Sequence, residues 1–129
     1  MEASTPTIAV VDDDESIRRA LCRLVRSAGL RVATFASAEE FLACEGEGAA
    51  CLILDVRLPG MSGLDLQRHL ASVGRCVPIV FISARDDEQT CQAALAAGAL
   101  AFLAKPFDDQ MLLDAVAKAL YKGKAEDNP

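Results

Sequence analysis

Several short apolar runs in this 129-residue chain end on side chains able to do chemistry. Ile8-Ala9-Val10-Val11 runs into Asp12, Asp13 and Asp14; Cys51-Leu52-Ile53-Leu54 delivers Asp55; Ala101-Phe102-Leu103-Ala104 leads into Lys105-Pro106. Val80-Phe81-Ile82 ends on Ser83, with Ala84 beside it. Carboxylate oxygens select a hard cation, and a set that retains water suits Mg²⁺, with Mn²⁺ as the near substitute. Three carboxylates within about 4 Å repel by several kcal/mol at an effective dielectric of about 20, and a divalent ion removes that penalty. A carboxylate can also take a phosphoryl group as an acyl phosphate, and Asp55 is the best candidate nucleophile. Such transfer needs charge neutralisation and in-line positioning, which the cation, the Lys105 ammonium and backbone N–H groups can supply. Ser83 can donate to a phosphoryl oxygen, and Ala84 leaves room for one. Asp14 and Glu15 read more simply as a helix N-terminus favoured by the dipole. His69 lies on an expected helix face without a Cys beside it and is given no role.

These groups meet only if the strands that carry them point the same way. Amphipathic stretches alternate with the apolar runs from end to end. Ile17, Ala20, Leu21, Leu24, Val25 and Ala28 have helical spacing, and Gly29 stops that helix. Arg31 to Phe35 reads as a short strand, and Ser37-Ala38-Glu39-Glu40 as a capping box opening a brief helix. Gly60 and Gly63 lie in a turn that needs positive φ or a tight approach, and Ser62 with Asp65 caps the next helix. Val77 to Ile82 is a strand, Asp86-Asp87 opens an alanine-rich helix stopping at Gly98, and Ala99 to Ala104 is the last strand. Asp108 can cap a final helix bearing Leu112, Ala115, Val116, Ala119 and Leu120. Strands apolar throughout imply a parallel sheet covered on both faces, here a five-stranded doubly wound α/β sheet. Its C-terminal strand ends would line up Asp12, Asp13, Asp55, Ser83 and Lys105 along one edge.

The length suits one domain, with residues 1–6 and 123–129 as tails around a body spanning 7–122. No apolar run approaches a membrane span, and Met1 to Pro6 has no signal-peptide core, so a cytoplasmic protein is expected. A net charge of −6 argues against nucleic acid bound by this domain itself. Cys22, Cys44, Cys51, Cys76 and Cys91 form no C-x-x-C pair, and one histidine cannot complete a zinc set. Lying within or beside apolar segments, they are expected to be buried, reduced thiols.

The pattern Val10-Val11-Asp12-Asp13, Leu54-Asp55-Val56-Arg57-Leu58-Pro59-Gly60-Met61-Ser62-Gly63, Ile82-Ser83-Ala84, Ala97-Gly98-Ala99 and Lys105-Pro106-Phe107 resembles the receiver domain of two-component response regulators. Ser37 to Leu42 and Arg57 to Leu66 look most like the FixJ-type subgroup. The resemblance implies a flavodoxin-like (CheY-like) sheet of order 2-1-3-4-5 with five helices. It implies that Asp55 accepts phosphate from a sensor histidine kinase. Asp13, Asp55 and the Arg57 backbone carbonyl would ligate Mg²⁺, Asp12 would act through water, and Lys105 would hold the phosphoryl group. The Lys105–Pro106 bond would be cis. Ser83, where many members have Thr, would swing toward the phosphoryl group, and Phe102, where many have Tyr, would turn inward. That would remodel the face of the last two helix–strand units and favour a homodimer. A DNA-binding effector domain outside this chain is a further implication, with Ala125 to Pro129 as the start of a linker or the end of a stand-alone chain.

Arg57 and Arg85 follow Asp55 and Ser83 by two residues, on loops at the rim. One of them is expected to reach the acids when Mg²⁺ is absent and to modulate hydrolysis. A turnover phosphatase would want an acid or base where Arg57 stands. A flavin site would want a Ser/Thr/Gly-rich loop where the acids stand. A phosphorylation-independent interaction module is the remaining alternative.

Overall fold

The structure, a computed structural model, describes residues 5–44, 48–84 and 88–127. Along the chain run β1 (Thr7–Val11), α1 (Glu15–Ser27), β2 (Arg31–Phe35), α2 (Ala38–Ala43), β3 (Cys51–Asp55), α3 (Gly63–Ser72), β4 (Ile79–Ser83), α4 (Glu88–Ala96), β5 (Ala101–Ala104) and α5 (Asp109–Asp127). The strands form one parallel sheet in the order β2-β1-β3-β4-β5. This is the expected doubly wound, flavodoxin-like arrangement.

Strand alternation builds two cores. Ile8, Val10, Cys51, Ile53, Val80 and Ile82 point to one face, where Leu21 and Val25 of α1 and Leu112, Val116 and Ala119 of α5 cover them. Ala9, Val11, Leu52, Leu54 and Phe81 point to the other, against Ala38 and Phe41 of α2, Leu66 and Leu70 of α3, and Ala94 of α4. Each central strand therefore reads as apolar throughout, because both of its faces are dry. β2, at the sheet edge, is only half-buried.

The two strands nearest the α4 side start later than the sequence suggested. Pro78 has no N–H for the ladder, and β4 begins at Ile79. The Ala99 amide donates to the Ala94 carbonyl at 3.0 Å, closing α4 behind Gly98 at φ 106°, so β5 begins at Ala101. Asp86-Asp87 and Arg85 lie outside the described residues.

The caps follow the sequence with one difference. Ser62 and Asp65 make the full reciprocal box at α3. At α2, Ser37 accepts from the Glu40 amide, but the Glu40 carboxylate accepts from the Ala36 amide at 3.0 Å, one residue outside the expected box. The cysteine expectation needs correcting as well. Only Cys51 is buried; Cys22 and Cys91 are half-buried, and Cys44 and Cys76 are exposed, all five being free. Cys44 caps α2 and Cys76 sits in the α3–β4 loop, positions that apolar neighbours in sequence do not cover.

Candidate functional site

Parallel pairing brings the strand ends to one edge. Val11 pairs with Leu54, placing Asp12 and Asp55 side by side at the ends of adjacent strands. Asp55 pairs with Ile82, and Ser83 with Ala104, which brings in Ser83 and Lys105. The Lys105 amide donates to the Ser83 carbonyl at 2.6 Å, and the Lys105–Pro106 peptide bond is cis.

Asp12 and Asp55 are buried, at 0% and 6% exposure, and Ser83 is buried with them. Asp13 is exposed. One oxygen from each of the three carboxylates lies within 4.8 Å of the others. The Lys105 ammonium stands 3.1 Å from Asp12 Oδ2 and 3.9 Å from Asp55 Oδ2. One ammonium among three carboxylates leaves two negative charges uncompensated, which a divalent cation matches. The donors are all oxygens, so the residues present fit Mg²⁺.

Local chemistry fixes each acid differently. Asp12 Oδ1 accepts from the Asp14 amide at 2.9 Å, folding the β1–α1 connection into an Asx-turn. Asp14 then caps α1 by accepting from the Ser16 amide at 2.8 Å. This is the helix-start role its position suggested. Asp55 Oδ1 accepts from the Arg57 amide at 3.2 Å. Burial, followed by the Asp12 charge, pushes the Asp55 carboxyl up to about 6, with Lys105 and the Arg57 amide opposing and Asp13 adding to the rise. A carboxylate held in that way is poorly solvated and responds strongly to a cation.

The loop after β3 brings helix α3 up against Asp55. Gly60 has φ 74°, whereas Gly63 serves the tight approach. A Cβ on Gly63 would collide with the Asp55 carbonyl oxygen and lie 3.0 Å from Val56 Cα. The two glycines thus divide the roles that the sequence left open between them. A contact that sequence reasoning missed pins the same loop: Glu39 Oε2 of α2 accepts from the Met61 amide at 2.9 Å. Both residues lie in the segments that look FixJ-like, yet nothing in either segment alone points to the other.

Of Arg57 and Arg85, one of which is expected to reach the acids, Arg85 lies outside the described residues. The Arg57 side chain is exposed and pairs with none of the described carboxylates; Lys105 is the cation among the acids. Ala84 is exposed beside Ser83, Pro106 is exposed, and Phe102 is half-buried with its ring 6.2 Å from that of Phe81. His69 is exposed on α3, one turn after Asp65, and forms no ion pair with a carboxylate among the described residues.

Comparison with known proteins gives the same picture. The family described as "Response regulator receiver domain" matches residues 8–117. The chain is 50% identical over 121 residues to the response regulator protein TmoT of Ectopseudomonas mendocina, covering 93% of this chain and 55% of that protein. It is 36% identical to the transcriptional regulatory protein FixJ of Azorhizobium caulinodans, over 98% of this chain and 62% of that one. Among solved structures it resembles the response regulator StyR, with a TM-score of 0.88 and 44% identity over 96% of this chain and 63% of that chain. The chain spans about half the length of TmoT. FixJ is thus a relative, with TmoT nearer in sequence.

Proposed function

The chain belongs to the response regulator receiver family of two-component systems, and from that premise we propose that it is a Mg²⁺-dependent phosphoryl switch with Asp55 as acceptor. The observation that carries this reading is the cluster of Asp12, Asp13 and Asp55 with Lys105 set among it at the strand ends. Asp13, Asp55 and the Arg57 carbonyl would hold the cation, with Asp12 acting through water. Bound there, Mg²⁺ would neutralise charge on the acceptor and the incoming phosphoryl oxygens. Asp55 would attack phosphorus as the P–N bond of the donor phosphohistidine breaks and its imidazole leaves. Lys105 and Ser83 would bind the transferred oxygens, with Ala84 leaving space and the Lys105–Pro106 turn orienting the ammonium.

The switch reading extends to Phe102, whose half-buried ring would turn inward as Ser83 moves. That would change the face formed by α4, β5 and α5 and promote a homodimer. The phosphoryl donor would be a cytoplasmic sensor histidine kinase, and the receiver body would span residues 7–122. The relatives named as transcriptional regulators favour a transcriptional output through a DNA-binding domain outside this chain. Among the described residues no helix is long and apolar enough to cross a membrane.

The test is intact-mass analysis after incubation with Mg²⁺ and acetyl phosphate. One phosphoryl adduct is expected, absent in Asp55→Asn and in EDTA. No adduct under any condition would replace the switch with a phosphorylation-independent interaction module.

A further inference from the structure

The acids of the site are not held alike, and the difference points to α1. Asp12 is fixed at four points. Its amide donates to the Phe35 carbonyl at 3.1 Å, and its two carboxylate oxygens accept from the Asp14 amide and the Lys105 ammonium. Its carbonyl accepts from an Arg18 guanidinium nitrogen at 2.7 Å. Asp13, by contrast, is exposed, and its carboxylate makes no hydrogen bond or ion pair with the described residues.

The Arg18 bond differs from the other three in what it fixes. The Phe35 bond and the side-chain bonds hold Asp12 itself. The Asp12 carbonyl belongs to the peptide plane shared with Asp13, and the orientation of that plane sets the direction of the Asp13 side chain. Arg18 also stands where a bare cation is unfavourable, near the positive end of the α1 dipole. Arg19, Arg23 and Arg26 on the same helix are exposed, whereas Arg18 is half-buried.

We propose that Arg18 is a positioning residue: by clamping the Asp12–Asp13 peptide plane it aims the Asp13 carboxylate at the cation. The inference rests on the Mg²⁺ reading above. A second effect of opposite sign makes it testable. As a nearby positive charge Arg18 repels Mg²⁺, so a role through charge alone predicts tighter binding when it is removed. A role through aiming predicts weaker binding, as when an outer hydrogen bond to a metal ligand is lost.

Calorimetric titration of Mg²⁺ into EDTA-stripped, dialysed protein separates the two. Arg18→Met is expected to bind Mg²⁺ about tenfold more weakly, with the metal-free protein still unfolding cooperatively in urea at a midpoint lowered by no more than the loss of one hydrogen bond. Arg18→Lys keeps the charge on a shorter, single-point donor and is expected to fall between the two. In an Asp13→Asn background, Arg18→Met is expected to add no further loss, since no carboxylate remains to be aimed. Equal or tighter binding by Arg18→Met, or losses that simply add in the double variant, overturns the proposal. Should Arg18→Met fail to fold, Arg18→Lys decides: weaker binding than wild type supports aiming, and equal or tighter binding refutes it. Wild-type protein that binds no Mg²⁺ overturns the metal reading and this inference together.

Discussion

Asp55→Asn is expected to stabilise the metal-free protein at neutral pH while abolishing its phosphoryl chemistry. The carboxyl rises from its ordinary 3.8 to about 6 in the fold, chiefly through burial. At about 1.4 kcal/mol per pH unit, that rise corresponds to about 3 kcal/mol withheld from the folded state once Asp55 is ionised. Asparagine keeps the shape without the charge. The opposing Lys105 contact at 3.9 Å and the Arg57 amide bond are already counted in that figure, so the expected net gain is about 3 kcal/mol. For a domain of this size that is a Tm rise of roughly 9–15 °C.

The pH dependence carries the decision. Between the unfolded and folded values the native state binds the extra proton, so wild-type stability falls as pH rises from 3.8 through about 6. The advantage of Asp55→Asn is therefore near zero at about pH 4, grows through pH 5, and is full above pH 7. Urea unfolding of both proteins in EDTA across that range measures it. Adding Mg²⁺ should then narrow the gap at pH 7.5, because ligand binding stabilises wild type selectively. A difference that is flat with pH would show that burial of the Asp55 charge is not what strains the metal-free fold.

Further outcomes follow from neighbouring contacts. Gly63→Ala forces a Cβ into the Asp55 carbonyl; it is expected to destabilise by about 2 kcal/mol or more and to slow phosphorylation by acetyl phosphate, read by unfolding and intact mass. Glu39→Ala releases the Met61 amide at an expected loss of about 1 kcal/mol, with faster hydrogen exchange at Met61 as the local readout. Lys105→Met leaves Asp12 and Asp55 without their ammonium, so the Asp55 carboxyl should rise further, visible by carbon-detected NMR titration. With the thiol reagent DTNB, the exposed Cys44 and Cys76 should react promptly. Cys51, whose thiol is pushed up to about 12 by burial, should stay silent until the protein unfolds.

Legibility in the sequence tracked how local each constraint is. The parallel direction of the strands could be read because Ile8–Val11, Cys51–Leu54 and Val80–Ile82 are apolar on both alternating faces, a pattern that few environments other than a covered parallel sheet explain, while their order came from the family resemblance. The acids and Lys105 could be placed because a strand end is one residue wide. Solvent exposure beyond the elements was not readable. Cys44 and Cys76 adjoin apolar residues in sequence but lie at a helix cap and in a loop, where the fold leaves them open. Which of Arg57 and Arg85 turns toward the acids was not readable either, because each follows its site residue by the same two positions and spacing does not encode backbone geometry.

The contacts that sequence could not supply are those between segments, and they share a function. Glu39 reaches across 22 positions to hold the Met61 amide, Gly63 admits α3 against the Asp55 backbone, and Arg18 holds the peptide plane behind Asp13. Each acts on the main chain of a site loop and none on the acids' carboxylate oxygens. A carboxylate cluster with uncompensated charge tends to spread apart, since its members repel. Clamping the loops from outside opposes that spreading without occupying the oxygens that a cation needs. Asp13 is then the acid left free to respond, while Asp12 is committed to Lys105 and the Asx-turn. On the proposed reading the site is a frame clamped through its main chain, in which Asp13 keeps its carboxylate oxygens open for a cation and Asp55 serves as acceptor.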